Sequence, residues 1–149
     1  MSIKNEIVVT DWIKRIPNKG DFLKLTLSST ERRIFRGKRL SDCEKELHLQ
    51  LPREGKLNDG DILSTNKSNF YVEIIAKTEN LIAISSKSKI ELIKTAYHLG
   101  NRHVELEIEE DILLTKSDYV IENMLKNFNV DIVNIQKKFF PERGAHSHE

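Results

Sequence analysis

Apolar and polar positions alternate in short runs through the first half of the chain and change to a helical period in the second. Leu23, Leu25 and Leu27 take every second position, as do Leu47, Leu49 and Leu51. Such a run turns one face of a strand to a core and the other to water. Ile7, Val8 and Val9 open this half, and Ile62 and Leu63 follow turn residues at Asn58, Asp59, Gly60 and Asp61. A further turn is expected at Asn18, Lys19, Gly20 and Asp21. Short strands punctuated in this way predict a small β domain over residues 1–75.

Beyond Ala76 the pattern predicts β-α-β-β-α-β. Residues 81–84 read as a buried strand. Ser88 and Glu91 have capping-box spacing, in which the serine oxygen takes an N–H of the first turn and the glutamate reaches back. Two rows then recur at helical spacing: Ile90, Ile93 and Tyr97, and Leu92, Ala96 and Leu99. Gly100 is expected to end or bend this helix. Val104, Leu106 and Ile108 alternate as a strand, residues 109–111 turn, and residues 112–114 return. Ser117 or Asp118 can cap a second helix with a stripe of Val120, Ile121, Met124, Leu125 and Phe128, stopping at Asn129. Ile132, Val133 and Ile135 fall in a last strand. The fold class is therefore α+β. A β-rich domain at residues 1–75 precedes a ferredoxin-like domain at 76–140 and a flexible tail at 141–149. A ferredoxin-like fold hosts many functions and by itself names none.

Charge adds little to this. Residues 1–75 carry 14 Lys and Arg against 11 Asp and Glu, and the remainder carry 10 against 12, leaving +1 overall. No bulk field draws the chain to nucleic acid or a membrane. Arg32, Arg33, Arg36, Lys38 and Arg39 are the one basic cluster, read as an exposed hairpin beside Glu31. Cys43 is the single cysteine, expected to be a small buried side chain in a reducing compartment. The N-terminus lacks a signal-peptide core and no run is long enough to span a bilayer, so a cytoplasmic location is expected.

No enzyme is expected. Phosphate-loop spacing fails at Arg32 and Arg39, no G-x-S-x-G elbow occurs, and one cysteine cannot build a C-x-x-C zinc cage. The candidate chemistry lies in five histidines, since neutral imidazole binds Ni(II), Cu(II) and Zn(II). His146 and His148 form an H-x-H pair in the tail. His98 and His103 flank the end of the first helix, and His48 falls on a solvated strand face. Glu105, Glu107 and Glu109 alternate with apolar residues as the wet face of a hairpin would.

Ala96-Tyr97-His98-Leu99-Gly100-Asn101-Arg102-His103 resembles the signature of the urease accessory nickel chaperones, the UreE family. Gly37-Lys38-Arg39-Leu40-Ser41-Asp42-Cys43, Leu49-Gln50-Leu51-Pro52-Arg53 and Asp59-Gly60-Asp61 resemble that family's N-terminal domain in the same order. The resemblance implies a β-rich domain akin to peptide-binding domains of heat-shock cochaperones, and a ferredoxin-like domain that forms a homodimer. It implies that His103 of two copies bridges one Ni(II) ion, that His146 and His148 complete the sphere, and that His98 matches a secondary metal site. Zn(II) or Cu(II) could occupy the same ligands. The implied partners are the urease accessory GTPase and, through it, apo-urease. The chain departs from some members in having Glu105 two residues after His103 and only two tail histidines. The alternative is a peptide-binding or scaffolding module of the urease assembly complex whose metal binding is incidental.

Overall fold

The computed structural model describes residues 6–53 and 55–143. The chain divides into two compact units, Met1–Lys77 and Thr78–Glu149. Among the described residues it is an α+β protein with two sheets and two α-helices.

The first unit holds β1 (Ile7–Ile13), β2 (Asp21–Leu27), β3 (Arg36–Leu40), β4 (Glu46–Gln50), β5 (Ile62–Thr65) and β6 (Phe70–Ala76). They form one sheet in the order β2-β6-β5-β1-β4-β3. β1 with β4 and β2 with β6 run parallel, and the other neighbours run antiparallel. The alternating leucines do what their spacing predicts. Leu25, Leu27, Leu47, Leu49 and Leu51 are buried with Val9, Leu63, Val72 and Ile74.

Aspartates tie the turns to this core. Asp42 accepts the Thr26 N–H at 3.0 Å and the Thr26 hydroxyl at 2.8 Å, while its own N–H donates to the Lys24 carbonyl. The β3–β4 turn thereby covers the outer edge of β2, which would otherwise offer unpaired backbone groups. Asp61 accepts the Trp12 indole N–H at 3.1 Å and the Asn58 N–H at 2.8 Å, and Asp59 accepts the Ala76 N–H at 2.7 Å. At Gly20 (φ +129) a Cβ would stand 2.6 Å from the Asn69 carbonyl oxygen, so only glycine fits that turn.

Two expectations for this unit are corrected. Cys43 is exposed, because it sits in the β3–β4 turn with its Sγ 3.3 Å from the Ser41 hydroxyl oxygen. Arg32 is 1% exposed. It lies in a 3-10 turn, Glu31–Arg33, whose backbone is tied on both sides, to the Ser28 carbonyl and from the Leu57 N–H, so its side chain turns inward.

The second unit runs β7 (Thr78–Ser85), α1 (Lys89–Asn101), β8 (Glu107–Ile108), β9 (Leu113–Lys116), α2 (Tyr119–Leu125) and β10 (Asp131–Lys138). Its sheet order is β10-β7-β9-β8, with every pair antiparallel. One cluster joins Ile82, Ile84 and Leu113 of the sheet to Leu99 of α1 and Leu125 of α2, with Leu92, Ala96, Ile121, Met124 and Phe128 packed around them. The alternate strand residues Leu81 and Leu114 form a second cluster with the fully buried Phe139. The helices thus cover one sheet face, and the segment after β10 reaches the other.

Several local readings differ from the pattern. Ser88 accepts the Glu91 N–H, but the Ser88 N–H donates to the Ser86 hydroxyl and Glu91 pairs with Lys94. Half of the capping box is therefore replaced by a nearer oxygen. Only Glu107–Ile108 of the expected strand at 104–108 is extended in the sheet, and Ile108 is exposed. α2 stops at Leu125, four residues before Asn129, and Val120 faces water. On α1 the row Leu92, Ala96 and Leu99 meets the core, whereas Ile90, Ile93 and Tyr97 stay 57–66% exposed.

Candidate metal centre

Helix α1 does not end at Gly100. It continues to Asn101, Gly100 has no left-handed φ, and a Cβ placed on it would meet nothing within 4 Å. The left-handed corner falls three residues later, at His103 (φ 58). The His103 N–H donates to the Gly100 carbonyl at 3.0 Å, and the Val104 N–H donates to the Leu99 carbonyl at 3.1 Å. These two bonds make a Schellman ending, and Leu99 and Val104 supply the apolar contact that accompanies it. Glycine usually fills this position, because a side chain in the left-handed region costs roughly 1–2 kcal/mol. Histidine is among the residues that tolerate it better.

The effect is to hold an exposed imidazole just past the last turn of a 13-residue helix. The partial negative charge of a helix C-terminus favours a cation there. A divalent ion near His103 would meet that field.

The other candidates are placed differently. His98 is exposed in the last turn, stacked on Phe128 with centroids 5.4 Å apart, and edge-on to Tyr97 at 5.5 Å. His103 stands past the end of α1 with a left-handed backbone, so the five-residue spacing does not put it on one helix face with His98. His48 belongs to the first unit, half-buried, with its Nε2 3.2 Å from Glu46 Oε1. His146 and His148 lie outside the described residues. Among the described residues, no three His, Cys, Asp or Glu side chains come together to hold a metal.

Beside His103 the acidic segment turns out to be structural. The Glu107 carboxylate accepts the Phe140 N–H at 2.9 Å, and Glu109 accepts from the Lys137 ammonium at 3.1 Å. Burial and a hydrogen bond with Glu109 hold the Glu107 carboxyl above its ordinary value, against the pull of the Phe140 N–H. Hydrogen bonds with Glu107 and Lys137 hold Glu109 below it. Two residues on, the Glu142 N–H donates to the Leu106 carbonyl at 2.6 Å. The chain after β10 is thus fastened three residues from His103. Sequence reasoning missed both this fastening and the left-handed corner. The signal for the first was Phe139-Phe140-Pro141, an apolar pair and a proline directly after the last strand.

Residues 79–149 match the family described as the UreE urease accessory protein, C-terminal domain. Over all 149 residues, and the whole of each relative, the chain is 81% identical to the urease accessory protein UreE of Prochlorococcus marinus strain MIT 9215. Identity to the protein of that name from strain MIT 9301 is 80%, again over the full length of both. A more distant relative, the urease accessory protein UreE of Synechococcus sp. strain WH7805, is 43% identical over 132 residues, covering 85% of this chain and 75% of that one.

Proposed function

The chain belongs to the UreE family of urease accessory proteins, and we propose that it is a non-enzymatic chaperone that carries Ni(II) to apo-urease during urease maturation. The observation that carries this reading is the placement of His103. An exposed imidazole occupies a backbone corner that favours glycine, at the negative end of a helix. One imidazole is a weak site. A two-fold homodimer presents the same patch twice, so His103 of two copies supplies two nitrogens to one ion. The exposed row Ile90, Ile93 and Tyr97 on α1, with Tyr119 and Val120 on α2, gives such a partner apolar surface to cover. His146 and His148 add ligands from the tail, and His98 is a secondary surface ligand. Zn(II) and Cu(II) suit the same donors, so selectivity for nickel rests on geometry, availability and the receiving partner.

The second unit reads as a ferredoxin-like domain, supported by its β-α-β-β-α-β order and the antiparallel strand order β10-β7-β9-β8. The first reads as the domain that meets the accessory GTPase and apo-urease. A cytoplasmic setting fits an exposed free thiol. No helix among the described residues is long and apolar enough to cross a membrane.

Nickel calorimetry on the parent and His103→Ala, with the solution mass of each, tests the assignment. The expected result is loss of the tight step with the dimer mass retained. An unchanged isotherm in His103→Ala would favour the scaffolding alternative.

A further inference from the structure

We propose that residues 139–142 form a positioning strap that fixes the root of the tail beside His103. The inference rests on the reading above, that His146 and His148 are ligands, and adds what brings them within reach.

Three attachments define the strap. Phe139 is fully buried against Leu81 and Leu114, on the sheet face opposite the helices. The Phe140 N–H donates to Glu107, and the Glu142 N–H donates to the Leu106 carbonyl. β10 and β8 are opposite edges of the sheet. The strap therefore carries the chain from one edge, across the buried face, to the start of the other. The destination is the segment that follows the His103 corner.

Chain reach shows why this matters. His103 lies three residues from Leu106, at most about 11 Å along the backbone, and the hydrogen-bonded Glu142 sits about 5 Å from Leu106. His146 is four residues beyond Glu142 and His148 six, giving reaches of about 14 and 21 Å. From this root the reach of His148 exceeds the largest separation of about 16 Å between Glu142 and His103, and that of His146 comes close to it before the length of the two side chains is added. Released from its attachments, the tail would start at Lys138, on the far edge. The tether to His146 would then double from four residues to eight, lowering its effective concentration about threefold, before the displaced origin is counted.

The strap also buries apolar surface, so its test must separate positioning from plain stability. Glu142→Pro removes one N–H donor at an exposed position, and Phe139→Ala removes the buried anchor. In full-length Cys43→Ser protein carrying a nitroxide on Ser147→Cys, without metal, the amides of residues 103–106 are expected to be broadened. Glu142→Pro should reduce that broadening. Glu142→Pro leaves the Phe139 and Phe140 attachments in place and lengthens the tether to His146 from four residues to six, so by calorimetry it should bind nickel about twofold more weakly in the full chain and have no effect in a chain cut after Ala145. Unchanged broadening in both Glu142→Pro and Phe139→Ala would overturn the strap, as would an equal nickel loss in full-length and cut chains. If cutting after Ala145 leaves nickel affinity unchanged, the ligand role of the tail fails, and the relaxation result alone decides the strap.

Discussion

The Val104 amide and the Leu99 carbonyl meet at 3.1 Å across the turn at His103, while their side chains enter the same core cluster. The corner is thus clamped by backbone and core together. A residue that local energetics disfavour is held there by its neighbours.

Replacing His103 with glycine should therefore stabilise the second unit by about 0.5–1 kcal/mol, the left-handed penalty less the extra entropy of glycine. His103→Ala keeps the strained backbone and should gain nothing. Both should lose the tight nickel step. Hydrogen exchange of the α1 amides provides the ranking, and a glycine variant less stable than the alanine variant would contradict the strain argument.

Cutting the chain after Ala145 should weaken nickel binding without abolishing it, and binding to the full chain should fade with acid. Ligand imidazoles must be neutral, so protons compete with the ion as the solution turns acid. Carboxylate ligands alone would hold nickel to about pH 4–5. Flat binding from pH 7.5 to 5.5 would exclude a histidine sphere. His48→Ala is the control, since that side chain lies in the first unit against Glu46.

The Glu107 carboxyl is raised by burial and by Glu109, so the folded chain takes up that proton more readily than the unfolded chain. Its contribution to stability is present in acid and lost as pH rises through the folded value. Glu109 is lowered, and its contribution is lost instead as pH falls. Glu107→Gln keeps an oxygen for the Phe140 N–H and removes the raised acid. Its thermal midpoint should match or exceed that of the parent at pH 7, with the advantage disappearing in acid, where Glu107 is protonated. A lower midpoint at pH 7 would show that the Glu107 charge is stabilising.

Asp118 caps α2, accepting the Val120 N–H at 2.7 Å and the Ile121 N–H at 3.1 Å. The helix has only seven residues, so little else holds its first turn. Asp118→Ala should cost about 1 kcal/mol and Asp118→Asn much less. Amide exchange across residues 119–125 measures both.

Cys43 should react with one equivalent of a thiol reagent in the folded protein, without denaturant, because it is exposed on the β3–β4 turn. A thiol that titrates only after unfolding would contradict that placement.

Periodicity recovered what periodicity controls. The leucines of β2 and β4 and the Leu92, Ala96 and Leu99 row were legible because burial selects apolar residues at the period of each element. The second unit's two helices were legible for the same reason, along with the Ser88 and Asp118 caps. β6 was not foreseen, since Tyr71, Val72, Ile74 and Ile75 are apolar on both faces and give no clean alternation. The strap was missed because tertiary contacts, not a repeat, fix Phe139. His103 stood out in the sequence as one residue of a family signature. Its left-handed backbone could not be read there, because Gly100, three residues earlier, is the residue that local rules would place in that conformation. The tail histidines lie outside the described residues, so the structure adds only their point of departure.

The parallel pairing of β2 with β6 imposes a timetable on synthesis. Asp21 lies opposite Phe70, 49 residues later. At roughly 5–20 residues per second, a ribosome needs about 2–10 s to make the partner after the strand itself is complete. Through that interval Leu25 and Leu27 have no sheet to join. Nascent chains stalled between Leu27 and Phe70 should therefore be the form of this protein most prone to aggregate, and the form on which general folding factors have most to do.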